Sequence, residues 1–342
     1  MRFFAFLADD GPAVGVLTAE DRVIRLRTVD GGLDLAFAEG QMVALMAEAA
    51  TVTARVEAAT VTARAASGGT ARAASGGTAL GDTTRTGIPR DDLDPLPAVE
   101  FPGKVVCVGL NYVDHVTEGG RAAPERPLLF AKFGNAVVGE GEPIIRPEGT
   151  HALDLEVELG VVIGRRARRV SAANASRHIA GYVVLNDVSA RDWQGVPAAL
   201  REGEKGDGQW LRAKGSDTFL PVGSVMTTPD TFDPAAGHRL RSWRIPGSGT
   251  DVGAPVLMQD GTTADLIWSV PRLIEFITRQ ITLEPGDLIA TGTPSGVGVF
   301  RDPPVFLEPG DRVRCEVDGI GTVENPVIDW SDLPADEVDH SD

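Results

Sequence analysis

The stretch DLEVELGVVIG, residues 154 to 164, sets carboxylates at alternate positions, Asp154, Glu156 and Glu158, ahead of an apolar run. Side chains alternate faces along a strand, so these acids would share one face while Leu155, Val157 and Leu159 share the other. Neighbours on one face lie about 7 Å apart. At an effective dielectric of about 20, each adjacent pair of like charges then costs roughly 2 kcal/mol. A hard divalent cation with oxygen ligands, Mg²⁺ or a relative, would offset that repulsion. Such a site wants a third carboxylate from another element. The apolar strand in GYVVLNDVSARD ends in Asn186 and Asp187, where polarity is otherwise wasteful. Glu156, Glu158 and Asp187 therefore make a candidate metal site with positions left for water and substrate. An exposed strand face whose acids pair with nearby arginines would use the same residues, and both explanations stand at this point.

Two further stretches carry chemistry. In GLNYVDHVTEGG, residues 109 to 120, Asn111 suits a helix N-cap and Gly119 a stop, which predicts a short helix over 112–118. His115 and Glu118 would share one helix face, close enough for the carboxylate to orient and charge the imidazole. A general base for water activation requires that pairing, although an ordinary surface pair has the same spacing. In GDLIATGTPSGVG, residues 286 to 298, a strand opens into a loop with Gly292, Gly296 and Gly298 beside Thr291, Thr293 and Ser295. Its N–H groups and hydroxyls could hold a carboxylate or phosphate. No Gly-Lys-Ser/Thr follows and dinucleotide-fingerprint spacing is missing, so a plain Gly-rich turn is the alternative.

The elements that must position these residues are mostly strands. From residue 104 onward, KVVCVGL, RPLLFAKF, EVELGVVIG, GYVVLND, DLIATGT and DRVRCEVDG alternate with Gly and Pro turns. Few helices interrupt them: one over Ser171 to Ile179 and one over Asp265 to Gln280, which Pro271 would kink or delay. That pattern predicts a β-rich α+β fold rather than a doubly wound sheet. Residues 1–50 read as a small N-terminal β-containing domain ending in the helix LAFAEGQMVALMAEAA. Residues 51–86 read as a low-complexity insertion, with TVTAR and ARAASGGT each occurring twice, serving as loop or linker. A Pro-rich connector (87–102), a catalytic domain (103–328) and an acidic, disordered tail (329–342) would complete the chain.

Bulk properties narrow the class. A length of 342 residues suggests about two domains, and 42% hydrophobic content supports a sizeable core. No apolar run approaches the ~20 residues that cross a bilayer, and MRFFAFLADDGPAVGVL reads as strand, turn and strand rather than a signal peptide. A net charge of −17, from 49 acidic and 32 basic residues, opposes nucleic acid and anionic membranes as partners. The basic GRRARRV, residues 164 to 170, reads as a solvated turn. Cys107 and Cys315 each sit in apolar strand context, as buried free thiols in a reducing cytoplasm would.

Taken in order, VGLNYVDHVTE, LDLEVELGVVIGR, GYVVLNDVSARDWQ, LRAKGSDTFLPVG, ITLEPGDLIATGTPSGVG and PGDRVRCEVDGIGTVENPV strongly resemble the fumarylacetoacetate hydrolase family from about residue 103 to 328. The leading segment resembles the small N-terminal α/β domain that many members carry. The resemblance implies a mixed β-roll, usually homodimeric, holding one Mg²⁺ or Mn²⁺ per subunit. It implies that Glu156, Glu158 and Asp187 ligate the metal and that His115 and Glu118 form an acid/base dyad. Lys214 would steady developing negative charge. The loop of Thr291, Gly292 and Thr293 would hold a substrate carboxylate, with Arg191 and Lys132 also among the substrate-binding residues.

Departures from the family pattern bear on substrate. Lys132 is followed by Phe133-Gly134-Asn135 instead of Pro-Ser/Thr. The usual Lys-Ser-Phe-Asp-Thr-Phe reads Lys214-Gly215-Ser216-Asp217-Thr218-Phe219, and a hairpin is expanded to RSWRIPGSGTDVGAPVLMQDGTTA. These changes suggest a pocket shaped for something other than the commonest catabolic substrates. The activity expected is hydrolysis of a carbon–carbon bond in a 2,4-dioxo acid or acylpyruvate, with His115 deprotonating water and a metal-stabilised enolate leaving. Decarboxylation of an oxaloacetate-like β-keto acid, or isomerisation of a dienoate, would use the same site without an attacking water. A non-catalytic or biosynthetic family member is the third possibility.

Overall fold

The computed structural model describes residues 1–9, 11–26, 47–51, 54, 87–248 and 252–333. The strands that matter for the site, numbered along the chain, are β1 (Arg2–Ala8), β2 (Gly11–Leu17), β3 (Arg22–Arg25), β4 (Val105–Gly109), β5 (Leu128–Lys132), β6 (Ile144–Arg146) and β7 (Val157–Ile163). They continue as β8 (Ile179–Asn186), β9 (Val225–Thr227), β10 (Arg239–Ile245), β11 (Val256–Thr262), β12 (Leu288–Ala290), β13 (Arg312–Val317) and β14 (Gly321–Asp329). The helices used below are α1 (Val113–Glu118), α2 (Arg191–Gln194), α3 (Trp210–Gly215) and α4 (Val270–Thr278). The fold is β-rich with few helices, as the strand-and-turn pattern predicts.

An eleven-stranded sheet runs in the order Ile88–Pro89, β3, β2, β1, β9, β8, β7, β12, β4, β5, with Asp94–Pro95 also paired to β1. It is mixed: β7 lies antiparallel to β8 and β12, while β12 lies parallel to β4. The N-terminal strands join this sheet through the β1–β9 pairing, Phe3 opposite Met226. A second sheet, in the order β11, β10, β13, β14, β6, packs beside it. Its contacts with β7 and β8 come from β10, β13 and β14.

The core sits on β7 and β8. Every residue of β7, and all of β8 but Ile179, is buried. Val, Leu and Ile dominate both strands, which suits a strand covered on two faces. The exposed acidic face is therefore overturned: the acids of this strand lie inside the protein. The strand is also not continuous. Leu153–Asp154 pairs with Ser189–Ala190, and β7 begins only at Val157. Asp154 thus belongs to that separate pair and not to the cluster of Glu156, Glu158 and Asp187.

Several local expectations change for identifiable reasons. The helix carrying His115 and Glu118 starts at Val113 with Tyr112 as its cap and no side-chain capping bond. Asn111 is not that cap, because its amide bonds Thr291 O (2.7 Å) and Trp268 O (3.2 Å) and accepts from Trp268 N (2.8 Å). The segment after Ser171 is a 3-10 helix, Ala172–His178, also lacking a side-chain cap. Helix α4 starts late, with Pro271 in its first turn, where a missing N–H costs nothing. Cys107 and Cys315 are buried and free. The tail shows one 3-10 turn at Trp330–Asp332; residues 334–342 lie outside the described residues. So do the 51–86 repeats except 51 and 54, and all of the helix expected before them except 47–50. No helix among the described residues is long and apolar enough to cross a membrane.

Candidate metal centre and active site

Antiparallel register assembles the centre. Val157 lies opposite Asn186, so the start of β7 meets the end of β8. Asp187 N then donates to Glu156 O at 2.9 Å, and Glu156 N donates to the Asn186 side chain at 3.0 Å. Glu156, Glu158 and Asp187 converge, each offering a carboxylate oxygen within 4.8 Å of the others. All three are buried.

Such close acids need compensation, and three cations supply it. Lys214 Nζ lies 2.6 Å from Glu156 Oε2 and 2.8 Å from Asp187 Oδ2. Arg191 reaches Glu156 Oε1 at 2.6 Å and Asp154 at 2.9 Å. Lys132 Nζ lies 2.8 Å from Asp187 Oδ1 and donates to Val188 O (2.9 Å), Phe219 O (2.7 Å) and Lys214 O. Burial alone would raise the Glu156 carboxyl, but Arg191 and Lys214 outweigh it and hold that group well below the usual carboxylate range. Glu158 goes the other way. Burial, reinforced by the charges of Asp187 and Glu156, pushes it well above that range, against a 2.7 Å bond from Gly292 N. The repulsion expected from the sequence thus falls on Glu158. An all-oxygen set with one acid short of a cation fits a hard divalent ion.

Asp154 is not part of this set. Its carboxylate accepts from Gly298 N (2.8 Å), Val299 N (3.1 Å) and Leu155 N (2.9 Å) as well as from Arg191. It fixes a loop and orients the arginine that holds Glu156.

Above the acids sits the dyad. His115 Nδ1 and Glu118 Oε1 are 2.7 Å apart. With Nδ1–H donated to Glu118, Nε2 is left as the basic nitrogen. Glu118 Oε2 also accepts from Gly296 N (2.8 Å), and Asp114 accepts from Ser295 N (3.2 Å) and Ser295 Oγ (2.7 Å). Two carboxylates therefore pin α1 to the loop after β12. That loop needs its glycines: Gly292 has φ +101°, and a Cβ there would stand 2.8 Å from the Asn111 Cβ. Gly296 has φ +100°, and a Cβ there would stand 2.2 Å from Met258 O. On the chain entering α1, Leu110 adopts φ +55°, a conformation uncommon outside glycine.

His115, Glu156, Glu158, Asp187, Lys214 and Arg191 all line one cavity of about 240 Å³. Thr293 joins them, but its hydroxyl donates to Val157 O (2.9 Å) and accepts from Gln259 Nε2 (2.6 Å). Thr291 is buried and donates to Leu159 O (2.8 Å), and the Gly292 N–H serves Glu158. The polar groups of the 291–293 loop are thus turned onto β7 and the acids. Lys132 stands behind Asp187 and does not line the cavity. Sequence reasoning passed over Arg121, Gln194, Phe130 and Trp210, which also line it. For Gln194 a signal existed: it lies one turn after Arg191, and its Oε1 accepts from that guanidinium at 3.1 Å. It also passed over Gln259, in the expanded hairpin, whose buried amide braces both Val157 N (2.9 Å) and Thr293.

A mixed β fold that brings a buried three-acid cluster and a His–Glu pair to one cavity offers oxygen donors of the kind a hard divalent ion takes and a positioned imidazole. Residues 104–328 match the family model described as fumarylacetoacetate (FAA) hydrolase C-terminal, and the chain belongs to the fumarylacetoacetate hydrolase family. The chain is 43% identical over 243 residues to "Oxaloacetate tautomerase FAHD2B, mitochondrial" of Bos taurus, covering 70% of this chain and 71% of the relative. Among solved structures, a 2-hydroxyhepta-2,4-diene-1,7-dioate isomerase from Mycobacterium marinum superimposes with a TM-score of 0.65 at 32% identity, covering 96% and 99% of the two chains. A fumarylacetoacetate hydrolase from Exiguobacterium antarcticum gives 0.69 at 29% identity, with the same coverage. The names of these relatives span tautomerisation, isomerisation and hydrolysis.

Proposed function

We propose that this chain is a divalent-metal-dependent enzyme that transfers a proton on a small oxo-diacid, as in tautomerisation of an oxaloacetate-like β-keto acid or isomerisation of a dienoate. The carrying observation is that His115 and the three acids share one cavity of only about 240 Å³. That is smaller than the ~300–1,000 Å³ of typical ligand sites. It favours a short acid over an acylpyruvate that must also admit an attacking water. Likeness to a tautomerase and to an isomerase supports the same reading.

Glu156, Glu158 and Asp187 would hold Mg²⁺ or Mn²⁺, which when bound supplies a Lewis acid for the oxygens of the oxo-acid. His115 Nε2 takes the proton from the carbon beside the carbonyl and returns it at the other end of the enol system. Glu118 stabilises the imidazolium between those steps. Lys214, whose ammonium is kept charged by Asp187 and Glu156 against its burial, faces the developing negative oxygen. Phe130, Trp210 and Phe300 wall the cavity and keep bulk water from the reacting carbon. The homodimer implied by the family resemblance belongs to this proposal and is measured by sedimentation. Two buried free thiols suit a reducing compartment, the cytoplasm in this reading.

The test is product analysis with Mg²⁺ or Mn²⁺ present and oxaloacetate in its enol form. Loss of the enol absorbance with no change of mass supports proton transfer. Release of carbon dioxide would instead establish decarboxylation, and two fragments carrying solvent oxygen would establish hydrolysis of the acylpyruvate type.

A further inference from the structure

We infer that Arg121 binds the second carboxylate of a dicarboxylic oxo-acid and so sets the preference for diacids over monoacids; this rests on the reading that an oxo-acid occupies the cavity. Arg121 follows Gly119 and Gly120, just past the dyad helix, and its N–H donates to Val116 O at 3.1 Å. Arg121 lines the same cavity as His115 and Lys214 and is exposed to solvent. The other cations of this wall, Lys214 and Arg191, are committed to Glu156, Asp187 and Asp154. Among the described residues, the Arg121 guanidinium has no carboxylate partner.

Charge balance points the same way. With all four carboxyls ionised, as ion binding would require, Asp154, Glu156, Glu158 and Asp187 against Lys132, Lys214 and Arg191 leave one negative charge. A divalent ion would take the floor to one positive charge, matched by the carboxylate next to the oxo group. For a second carboxylate, Arg121 is the one lining cation among the described residues that no carboxylate already engages. Guanidinium is also the side chain whose planar fork matches a carboxylate with two parallel hydrogen bonds. Because Arg121 is exposed and the acids on the same cavity are buried, a short diacid would be held at both ends.

Oxaloacetate and 2-oxobutyrate separate this contribution, since both are four-carbon 2-oxo acids and only the first has a distal carboxylate. Calorimetric titration of the Mg²⁺-loaded protein should show wild type favouring oxaloacetate. Arg121→Ala should weaken oxaloacetate about 10- to 100-fold, the usual scale for a charge-assisted hydrogen bond, and leave 2-oxobutyrate within about twofold. Arg121→Lys should recover part of the loss. Exposure of the side chain keeps the fold out of the comparison, and an unchanged melting temperature checks that. Equal loss for both acids, no loss for either, or no preference in wild type overturns the assignment. Undetectable binding of both acids to wild type overturns it together with the oxo-acid reading. If the binding pattern holds but product analysis shows carbon dioxide or hydrolysed fragments, the reaction assignment fails and Arg121 keeps its role.

Discussion

The acid floor and the helix above it are built by opposite means. On the floor, Glu156, Glu158 and Asp187 come from adjacent central strands buried on both faces and are clamped by Lys132, Lys214 and Arg191. The dyad rides on a six-residue helix without a side-chain cap. A helix that short has no stability of its own. It keeps its place because Asp114 and Glu118 grip Ser295 and Gly296 on the loop after β12. The difference teaches that, in the proposed mechanism, ion binding would be insulated within the core, whereas proton transfer would depend on a tethered surface helix that can be altered without unfolding the protein.

The largest effect should come from the floor. Asp187→Asn leaves Lys132 and Lys214 short of a counter-charge, and breaking such buried pairs costs about 3–5 kcal/mol. Calorimetry should show divalent-ion binding abolished, and the melting temperature should fall. Undiminished Mn²⁺ affinity in that variant would break the division between the acid floor and the dyad helix. Next comes His115→Ala, which should lower turnover about 10²- to 10⁴-fold while ion affinity stays at the wild-type value. If ion binding also collapsed, the two regions would not be separable. Glu118→Gln retains a hydrogen-bonding group but loses the charge that supports the imidazolium. Its turnover should fall about 10-fold, equivalent to about 1.4 kcal/mol, with ion affinity unchanged.

A further effect, on stability rather than turnover, is a pH linkage confined to the floor. In the metal-free protein Glu158 is raised well above its ordinary value by burial and by Asp187 and Glu156. The folded state therefore holds a proton that the unfolded chain has already released. Metal-free stability should fall as pH rises from the unfolded carboxylate value of about 4.3 through the folded one, by at most about 1.4 kcal/mol per pH unit. Ion binding should release that proton, so affinity should rise with pH over the same window. Titrations in buffers of different ionisation enthalpy measure the release, and a proton count of zero would contradict the assignment.

Much of the centre is legible along the chain because its chemistry is local. Glu156 and Glu158 alternate on one strand, Asp187 ends a second apolar strand, and His115 and Glu118 sit one helical turn apart. These spacings survive folding. Asp154 has the same spacing but leaves the cluster, because the strand breaks after it and its carboxylate caps the loop at Gly298 and Val299. Asn111 is legible as a cap and folds instead into a bond with Thr291 across 180 residues. Thr291 and Thr293 read as ligand-binding hydroxyls and are turned onto β7, where two backbone carbonyls needed donors.

By itself, then, the sequence determined the donor types, the dyad, the strand-rich class and the family. Periodicity and side-chain chemistry are properties of neighbours, and neighbours are printed in order. Tertiary structure decided which acids meet, which cations compensate each of them, and that Glu158 carries the unrelieved repulsion. It also decided that Arg121 faces the same small cavity as the acids. Those outcomes depend on the antiparallel register of β7 with β8 and on contacts between segments far apart in the chain, and no local spacing encodes them.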